Sequence, residues 1–122
     1  MKKILGLLLM LGLVVSVGGC ATAKPHVEYW FNGLVKKEGN YKGRKKDGRW
    51  VEYHLNGLIK KEEAYKDGEW NGKWAMYYES GKIKSEENYK DGKREGKKVE
   101  YDEEGNINSE YCYDIGKRVD CP

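Results

Sequence analysis

A unit of 24 residues that recurs four times without a gap most constrains what this chain can fold into. The copies span residues 25–48, 49–72, 73–96 and 97–120. Four positions of the unit never change, and one more is always Val or Ile. These are position 5 (Tyr29, Tyr53, Tyr77, Tyr101), position 9 (Gly33, Gly57, Gly81, Gly105), position 14 (Glu38, Glu62, Glu86, Glu110), position 17 (Tyr41, Tyr65, Tyr89, Tyr113) and the aliphatic position 11 (Val35, Ile59, Ile83, Ile107). Such self-similarity predicts equivalent structural units stacked in a row.

Each unit has the pattern of a β-hairpin. A short aromatic-rich segment such as 73–78 is followed by a turn of the type Asn56-Gly57, and a second extended segment ends at a turn of the type Asp67-Gly68. Asn-Gly and Asp-Gly between extended runs are strong hairpin signals. No stretch after Cys20 has a sustained apolar period of 3.6 residues, so helix is not expected there. The repeats therefore predict an all-β fold, a single-layer antiparallel meander of about eight strands.

The turn at position 9 decides which side chains share a face of that sheet. A three-residue loop with its glycine in the left-handed conformation pairs position 5 with the aliphatic position 11, whereas a two-residue loop pairs position 5 with the mostly polar position 12. We prefer the first alternative because it places Val27, Tyr29, Val35 and Tyr41, with their copies, on one face. The other face is then expected to carry Lys, the position-14 glutamates and several aromatic residues.

The first 19 residues have the features of a secretory signal peptide. A Lys-Lys pair precedes an uncharged stretch, residues 4–17, which is shorter than the roughly 20 residues needed to span a bilayer. It ends in Val17-Gly18-Gly19-Cys20, which resembles a bacterial lipobox, although Val stands where Leu is most common. The prediction is a signal-peptide helix over 1–19, a lipidated Cys20 carrying acyl chains such as palmitate, a tether over 20–26, and a repeat domain over 27–122.

Lipidation of Cys20 would hold the protein on a membrane surface, since two or three acyl chains anchor where one does not. Ala21 follows this cysteine, where an Asp would indicate retention in the inner membrane. We therefore expect the outer membrane in a Gram-negative host and otherwise the outer surface of the cell membrane. An ordinary signal peptide with an incidental cysteine is the alternative.

The number of the remaining cysteines is also typical of an exported protein. Cys112 and Cys121 form an even pair at the C-terminal end of the chain, and such a pair is readily oxidised outside the cytoplasm. A disulfide between them would fasten the last strand. No histidine lies near them in the sequence, so zinc is not expected, and nothing else in the sequence indicates a cofactor.

Composition excludes several classes of function. From Cys20 onward the chain carries 21 basic and 20 acidic residues, a net charge of +1, which argues against a nucleic-acid-binding protein. The same region has 15 aromatic residues but only 13 Val, Leu, Ile and Met, too few aliphatic residues for a thick core around a deep catalytic pocket. The two histidines occupy non-equivalent repeat positions and have no identifiable catalytic partner. The sequence therefore predicts that the protein is not an enzyme.

The repeat resembles the bacterial variant of the MORN (membrane occupation and recognition nexus) repeat from about Val27 to Val119. The third copy carries the resemblance most fully, through Trp74, Tyr77, Gly81, Ile83, Glu86, Tyr89, Asp91, Gly92 and Gly96. Departures are Arg44 and Asp120, which stand where other copies have glycine. The resemblance implies chained hairpins in an open sheet and a role in protein–protein scaffolding, with membrane-lipid binding proposed for some members. Many bacterial members carry an antitoxin label.

The remaining candidates for a binding surface are aromatic residues and a histidine among the charges of the polar face. They are Trp30, Trp50, His54, Trp70, Trp74 and Tyr78. Exposed Trp and Tyr are typical anchors of interfaces, but in a one-layer sheet they can equally shield the backbone. The position-5 and position-17 tyrosines are interpreted as core, and the position-14 glutamates as structural rather than catalytic, since equivalent residues would lie about 10 Å apart.

These observations favour a lipid-anchored, non-catalytic platform for a protein partner at the cell envelope. The alternatives are an immunity or antitoxin-like protein that neutralises a toxin, and a module that binds cell-wall glycan or lipid headgroups. Basic clusters such as Lys36-Lys37 and Lys60-Lys61 alternate with acids, so headgroup binding has weak support from charge.

Overall fold

The computed structural model describes residues 22–122, and the predicted signal-peptide helix and Cys20 lie outside the described residues. The described chain is all-β, as predicted, and forms one open antiparallel sheet. Its strands are β1 Ala23–Tyr29, β2 Val35–Lys42, β3 Lys45–Tyr53, β4 Ile59–Lys66, β5 Glu69–Tyr77, β6 Ile83–Lys90, β7 Lys93–Arg94, β8 Gly96–Tyr101, β9 Ile107–Asp114 and β10 Lys117–Val119. Within residues 22–122 no helix is long and apolar enough to cross a membrane.

The sheet is a meander in which consecutive strands pair, except that β7 pairs only with β6, which also pairs with β8. Residues 22–122 contain ten strands rather than about eight. The long strands β3 and β5 run through the boundaries between repeats, the strand that follows β6 is interrupted at Glu95, and β10 adds a last short strand. The sheet is thus continuous across the repeats, and adjacent repeats are joined by strand ladders, the last of which is interrupted at Glu95.

The predicted loop register is confirmed in all four repeats. Position 5 pairs with position 11, as in Tyr53 opposite Ile59 and Tyr77 opposite Ile83. In the first repeat the Trp30 amide donates to the Leu34 carbonyl at 2.7 Å, the Gly33 amide donates to the Trp30 carbonyl at 2.9 Å, and Gly33 has φ +85°. This is a three-residue loop whose last residue must be left-handed, which explains the invariant glycine.

A β-bulge directly after each turn overturns part of the predicted face assignment. The register shifts by one residue between positions 4 and 5, so that one residue of the returning strand has no partner. The unpaired residues are Lys36, Lys60, Lys84 and Asn108. Since one extra residue reverses the alternation of side chains, Tyr41 and its copies lie on the face opposite Tyr29. For the same reason Glu38 and its copies lie on the tyrosine face.

The relocated glutamates link neighbouring repeats through hydrogen bonds. The Tyr77 hydroxyl donates to Glu62 of the preceding repeat at 2.8 Å, and the Tyr101 hydroxyl donates to Glu86 at the same distance. The first such pair joins Tyr53 to Glu38. The position-14 glutamates therefore have a structural role: the first three accept a hydrogen bond from a tyrosine of the next repeat, and Glu110 of the last repeat lies 3.4 Å from the Lys97 ammonium.

The opposite end of each hairpin is a two-residue turn. Asp67 and Gly68 both have positive φ, +49° and +87°, and the Gly68 amide donates to the Lys46 carbonyl of the preceding hairpin at 2.9 Å. The last of these turns has Ile115 in the Asp position with φ +46°, a conformation that a β-branched residue rarely adopts. Near that end a disulfide joins Cys112 to Cys121 and fastens the segment after β10 to β9.

Candidate functional site

The face opposite the Tyr–Glu pairs holds the side chains of positions 2 and 17, and we call it the tryptophan face. Its members at these two positions are His26, Trp50, Trp74 and Lys98, and Tyr41, Tyr65, Tyr89 and Tyr113. Trp70 also lies on this face, opposite Tyr65. Of the six predicted surface residues, three therefore share one face, while the position-6 residues Trp30, His54 and Tyr78 lie at the turns.

Trp50 is part of the core, so of the two roles considered from the sequence it has the shielding one and not that of an exposed anchor. Its side chain is 1% exposed, and its indole N–H donates to the Asn40 carbonyl at 3.1 Å. The ring covers Gly39 so closely that a Cβ at that residue would lie 2.2 Å from an indole carbon. The Tyr41 ring packs against it with centroids 4.9 Å apart. A missing side chain at Gly39 is thus what lets this tryptophan lie flat on the sheet.

Trp74 occupies the same repeat position but has a different neighbour. In the preceding strand the place of Gly39 is taken by Glu63, which lies directly opposite Trp74 and is itself buried. Because this side chain fills the space, Trp74 cannot settle onto β4 as Trp50 settles onto β2. Its ring is half-buried, and its indole N–H has no hydrogen-bond acceptor within residues 22–122.

An open groove of about 440 Å³ lies on the tryptophan face between the third and fourth repeats, and we call it the aromatic groove. Its apolar lining is Trp70, Trp74, Met76, Tyr78 and Tyr89, and its polar lining includes Lys84, Ser85, Glu87, Arg94, Lys98, Glu100 and Asn108. Position 2 of the fourth repeat is Lys98, where the two preceding repeats have tryptophan. The groove thus lies where the row of indole rings ends.

The charges of the groove are largely paired. Arg94 Nε lies 2.8 Å from Glu87, whose side chain is 4% exposed, and Lys98 Nζ lies 2.9 Å from Glu100. The hydrogen bond from Lys98 lowers the pKa of Glu100, and the same bond raises the pKa of Lys98. The Lys98–Glu100 ion pair therefore persists at neutral pH. Lys84, over the Tyr78 ring at 5.6 Å, forms no ion pair within residues 22–122, which leaves the groove with one positive charge in excess.

Two of the predicted surface residues connect neighbouring repeats. His54 Nε2 lies 3.1 Å from the Tyr77 carbonyl, and the Tyr78 hydroxyl donates to the Tyr101 carbonyl at 2.7 Å. Both bonds run from position 6 to the backbone of the next repeat. The equivalent Trp30 has the Lys36 ammonium over its ring at 4.9 Å. His54 thus has a structural partner, whereas Tyr78 combines this bond with a place in the groove lining.

Exposed apolar side chains at the position-9 turns were missed by the sequence reasoning. They are Phe31, 92% exposed, Leu34, 44% exposed, Leu55, 48% exposed, and Leu58, 45% exposed. We call these four residues the apolar turn row. The turns stack on one another, since Asn32 donates to the Leu55 carbonyl at 3.3 Å and Asn56 donates to the Glu79 carbonyl at 2.8 Å. The sequence carried the signal, because positions 7 and 10 are apolar only in the first two repeats.

The pKa of Glu62 and the placement of potential metal ligands bear on acid–base and metal chemistry within residues 22–122. Burial alone would raise the pKa of Glu62, but hydrogen bonds from Tyr77 and Arg49 outweigh it and lower that pKa, the opposite of what a general acid requires. No group of three or more His, Cys, Asp or Glu side chains in the range 22–122 is arranged to hold a metal ion.

Comparison with known families supports the repeat assignment. The family described as MORN repeat variant matches residues 46–67, 70–91 and 94–114, more than half of the chain. The chain belongs to the MORN repeat variant family. Each match begins close after one two-residue turn and ends at the next, so the matched unit is one complete hairpin. Among curated proteins and solved structures, none matches the chain.

The first hairpin, β1–β2, lies outside the family match but has the same fold as the others. Its loop pairs Tyr29 with Val35, as the other MORN hairpins pair their position-5 and position-11 residues. Two departures distinguish it. Gly39 replaces a larger side chain at position 15, and its closing turn is Gly43-Arg44 instead of Asp-Gly. Residues 22–122 thus hold four structural repeats, three of which match the family.

Proposed function

We propose that this protein is a non-catalytic binding module, held at the cell envelope by an acylated Cys20, and that it docks a protein partner through the apolar turn row. The carrying observation is the exposure of Phe31, Leu34, Leu55 and Leu58 on adjacent, hydrogen-bonded turns. Clusters of exposed apolar side chains rimmed by polar residues mark interaction sites. Membership of a repeat family fits such a role, since stacked repeats present extended binding surfaces.

The position of the apolar turn row favours a protein partner over the membrane to which Cys20 would be attached. β1 begins at Ala23, shortly after the cysteine, and Phe31 is the second residue after its end at Tyr29. Seven residues of strand at 3.3 Å each place the row roughly 23 Å from the start of β1. A sheet standing on a short tether therefore presents the apolar turn row away from the bilayer.

The sheet edges support docking through side chains rather than through strand addition. β1 contains Pro25, which lacks an N–H for a new strand to bind. At the other edge β10 has three residues, and the segment after it is fastened back by the Cys112–Cys121 disulfide. Neither edge offers a long, regular row of backbone donors and acceptors. The apolar turn row therefore has the stronger claim as the docking surface.

The test is cross-linking in cells that express the full-length protein, followed by mass spectrometry of the proteins that co-purify. A variant with Phe31→Ser and Leu55→Ser removes the apolar groups of position 7 in the first two repeats. The matched control, Glu79→Ser with Glu103→Ser, changes the same position in the other two repeats. We expect one dominant partner with the parent protein and the control, and its loss with the apolar variant.

Retention of that partner by the Phe31→Ser/Leu55→Ser variant would refute the assignment of the docking surface. Absence of any stoichiometric protein partner from the parent would refute the proposed function. The identity of the partner separates two versions of it, because a toxin would make this an immunity protein, whereas an envelope component would make it a scaffold. Radiolabelled palmitate incorporation, abolished by Cys20→Ala, tests the anchor independently.

A further inference from the structure

The aromatic groove has a chemistry that the apolar turn row lacks. Aromatic rings lie beside paired charges, and the volume of about 440 Å³ is in the range of sites for small ligands. It shares no residue with the apolar turn row, so it calls for a ligand of its own. A ligand that fits must have an apolar surface for the rings of Trp70, Trp74 and Tyr78, and polar groups for the charged side chains around them.

A peptide backbone fits this groove poorly. The groove lies on the face of the sheet, where the backbone N–H and C=O groups of β5 and β6 are already engaged in strand pairing. An added peptide could bind only through its side chains, and its own backbone groups would lose water without gaining partners. A sugar ring does not have this difficulty, because its C–H face can lie on an aromatic ring while its hydroxyls bond to side chains at the edge.

The charged side chains that line the groove indicate which kind of sugar can bind there. The two carboxylates of the groove, Glu87 and Glu100, are each matched by a cation, Arg94 and Lys98. A cationic ligand would therefore find no free carboxylate, whereas the Lys84 ammonium has no anionic partner within residues 22–122. Lys84 is the unpaired bulge residue of its repeat and is exposed. A ligand carboxylate would supply the missing charge.

The buried indole N–H of Trp74 is a second group in the groove that lacks a partner. It has no acceptor in the described part of the chain, and a buried donor without a partner costs free energy. Trp74 lines the groove, so a small rotation of its ring in a complex would let it donate to a ligand hydroxyl. A polyhydroxylated ligand therefore meets both the unpaired ammonium and the unpaired donor.

We propose that the aromatic groove binds a glycan whose sugar rings stack on Trp70, Trp74 and Tyr78 and whose carboxylate pairs with Lys84. The openness of the site to solvent lets a polymer chain extend beyond it in either direction. With Cys20 acylated, the ligand would be an acidic glycan of the envelope, held while the turn row contacts the protein partner. Glycan binding itself does not depend on that partner.

The experiment is calorimetric titration of the full-length protein in detergent micelles with two disaccharides that differ in charge. N-acetylglucosaminyl-N-acetylmuramic acid carries a carboxylate, and di-N-acetylchitobiose is neutral. We expect the acidic disaccharide to bind about tenfold more tightly, the magnitude of one charge-assisted hydrogen bond. Lys84→Gln should remove this preference, so that the two disaccharides bind this variant with equal affinity. Lys60→Gln, the same bulge position one repeat earlier and outside the groove, is the matched control.

Trp74→Ala should abolish binding of both disaccharides, whereas Trp30→Ala, at a turn outside the groove, should not. Three results would overturn the proposal. They are no detectable binding of either disaccharide at millimolar concentration, equal affinity for both, and tighter binding of the peptide N-acetyl-Glu-Tyr-amide than of the acidic disaccharide. None of these would bear on the cross-linked protein partner, so the two proposals fail separately.

Discussion

The contact between Trp50 and Gly39 makes a sharp prediction about stability. Replacing Gly39 with Ala puts a Cβ 2.2 Å from the indole, and the backbone there is not left-handed, so the cost comes from the contact alone. Overpacking of this kind costs about 1–3 kcal/mol. Loss of the indole hydrogen bond to the Asn40 carbonyl adds roughly 1 kcal/mol. We expect Gly39→Ala to lower the free energy of unfolding by about 3 kcal/mol.

A double-mutant cycle measured by urea denaturation tests the origin of that cost. Trp50→Ala alone should cost about 4 kcal/mol, since the ring is 1% exposed. In that background Gly39→Ala has nothing to collide with and should be neutral or slightly stabilising. The coupling energy is then about 3 kcal/mol, with the urea dependence unchanged. Two results would refute the reasoning: additive effects of Gly39→Ala and Trp50→Ala on the free energy of unfolding, or a loss below about 1 kcal/mol for Gly39→Ala alone.

Three further changes have expected outcomes. Ile115→Asn should stabilise the protein by about 1 kcal/mol, because the backbone φ of +46° at this residue is tolerated by asparagine and strained for isoleucine. The gain should be measured as a higher thermal midpoint, and an unchanged midpoint would contradict backbone strain at Ile115. Tyr77→Phe should cost about 1 kcal/mol at neutral pH. Burial, then the bond to Glu62, raises the pKa of Tyr77, so its stabilisation is complete below about pH 10 and is lost at higher pH. The difference in free energy of unfolding between the parent and Tyr77→Phe, measured with urea, should therefore shrink above pH 10. A difference that stays constant with pH would contradict the role of the tyrosine hydroxyl. Replacing Cys112 and Cys121 with Ser should lower the free energy of unfolding by about 2–3 kcal/mol. An unchanged free energy of unfolding after reduction of the disulfide would contradict its stabilising role.

Much of the fold follows from local rules that act within one repeat. The glycine at position 9 selects the three-residue loop, and that loop alone fixes Tyr53 opposite Ile59. The bulge at position 12 leaves no comparable mark on the sequence, because Lys60 there suits either a paired or an unpaired place. Without it the alternation of side chains predicts the wrong face for Tyr41. The unpaired residue at position 12 thus reverses the predicted faces of the position-17 tyrosines and the position-14 glutamates in every repeat.

The surroundings of the tryptophans were harder to predict because they depend on side chains of the adjacent strand, which belongs to the preceding repeat. Trp50 and Trp74 are equivalent in the sequence, and only the residue beside each in the preceding repeat separates them. Gly39 buries the first ring, and Glu63 keeps the second from lying flat. Burial of an aromatic side chain in a one-layer sheet is therefore decided by the neighbouring strand, which single-unit reasoning does not include.

Comparison between repeats provides an internal control for the apolar turn row. The same turn forms in the third repeat with Glu79 and Lys82 at the positions of Phe31 and Leu34, and the amide of its glycine makes the same hydrogen bond. The fold therefore does not require apolar side chains there. Leaving them exposed lowers solubility and gains little in packing. Their presence in two adjacent repeats is what the proposed docking of a protein partner on this surface would explain.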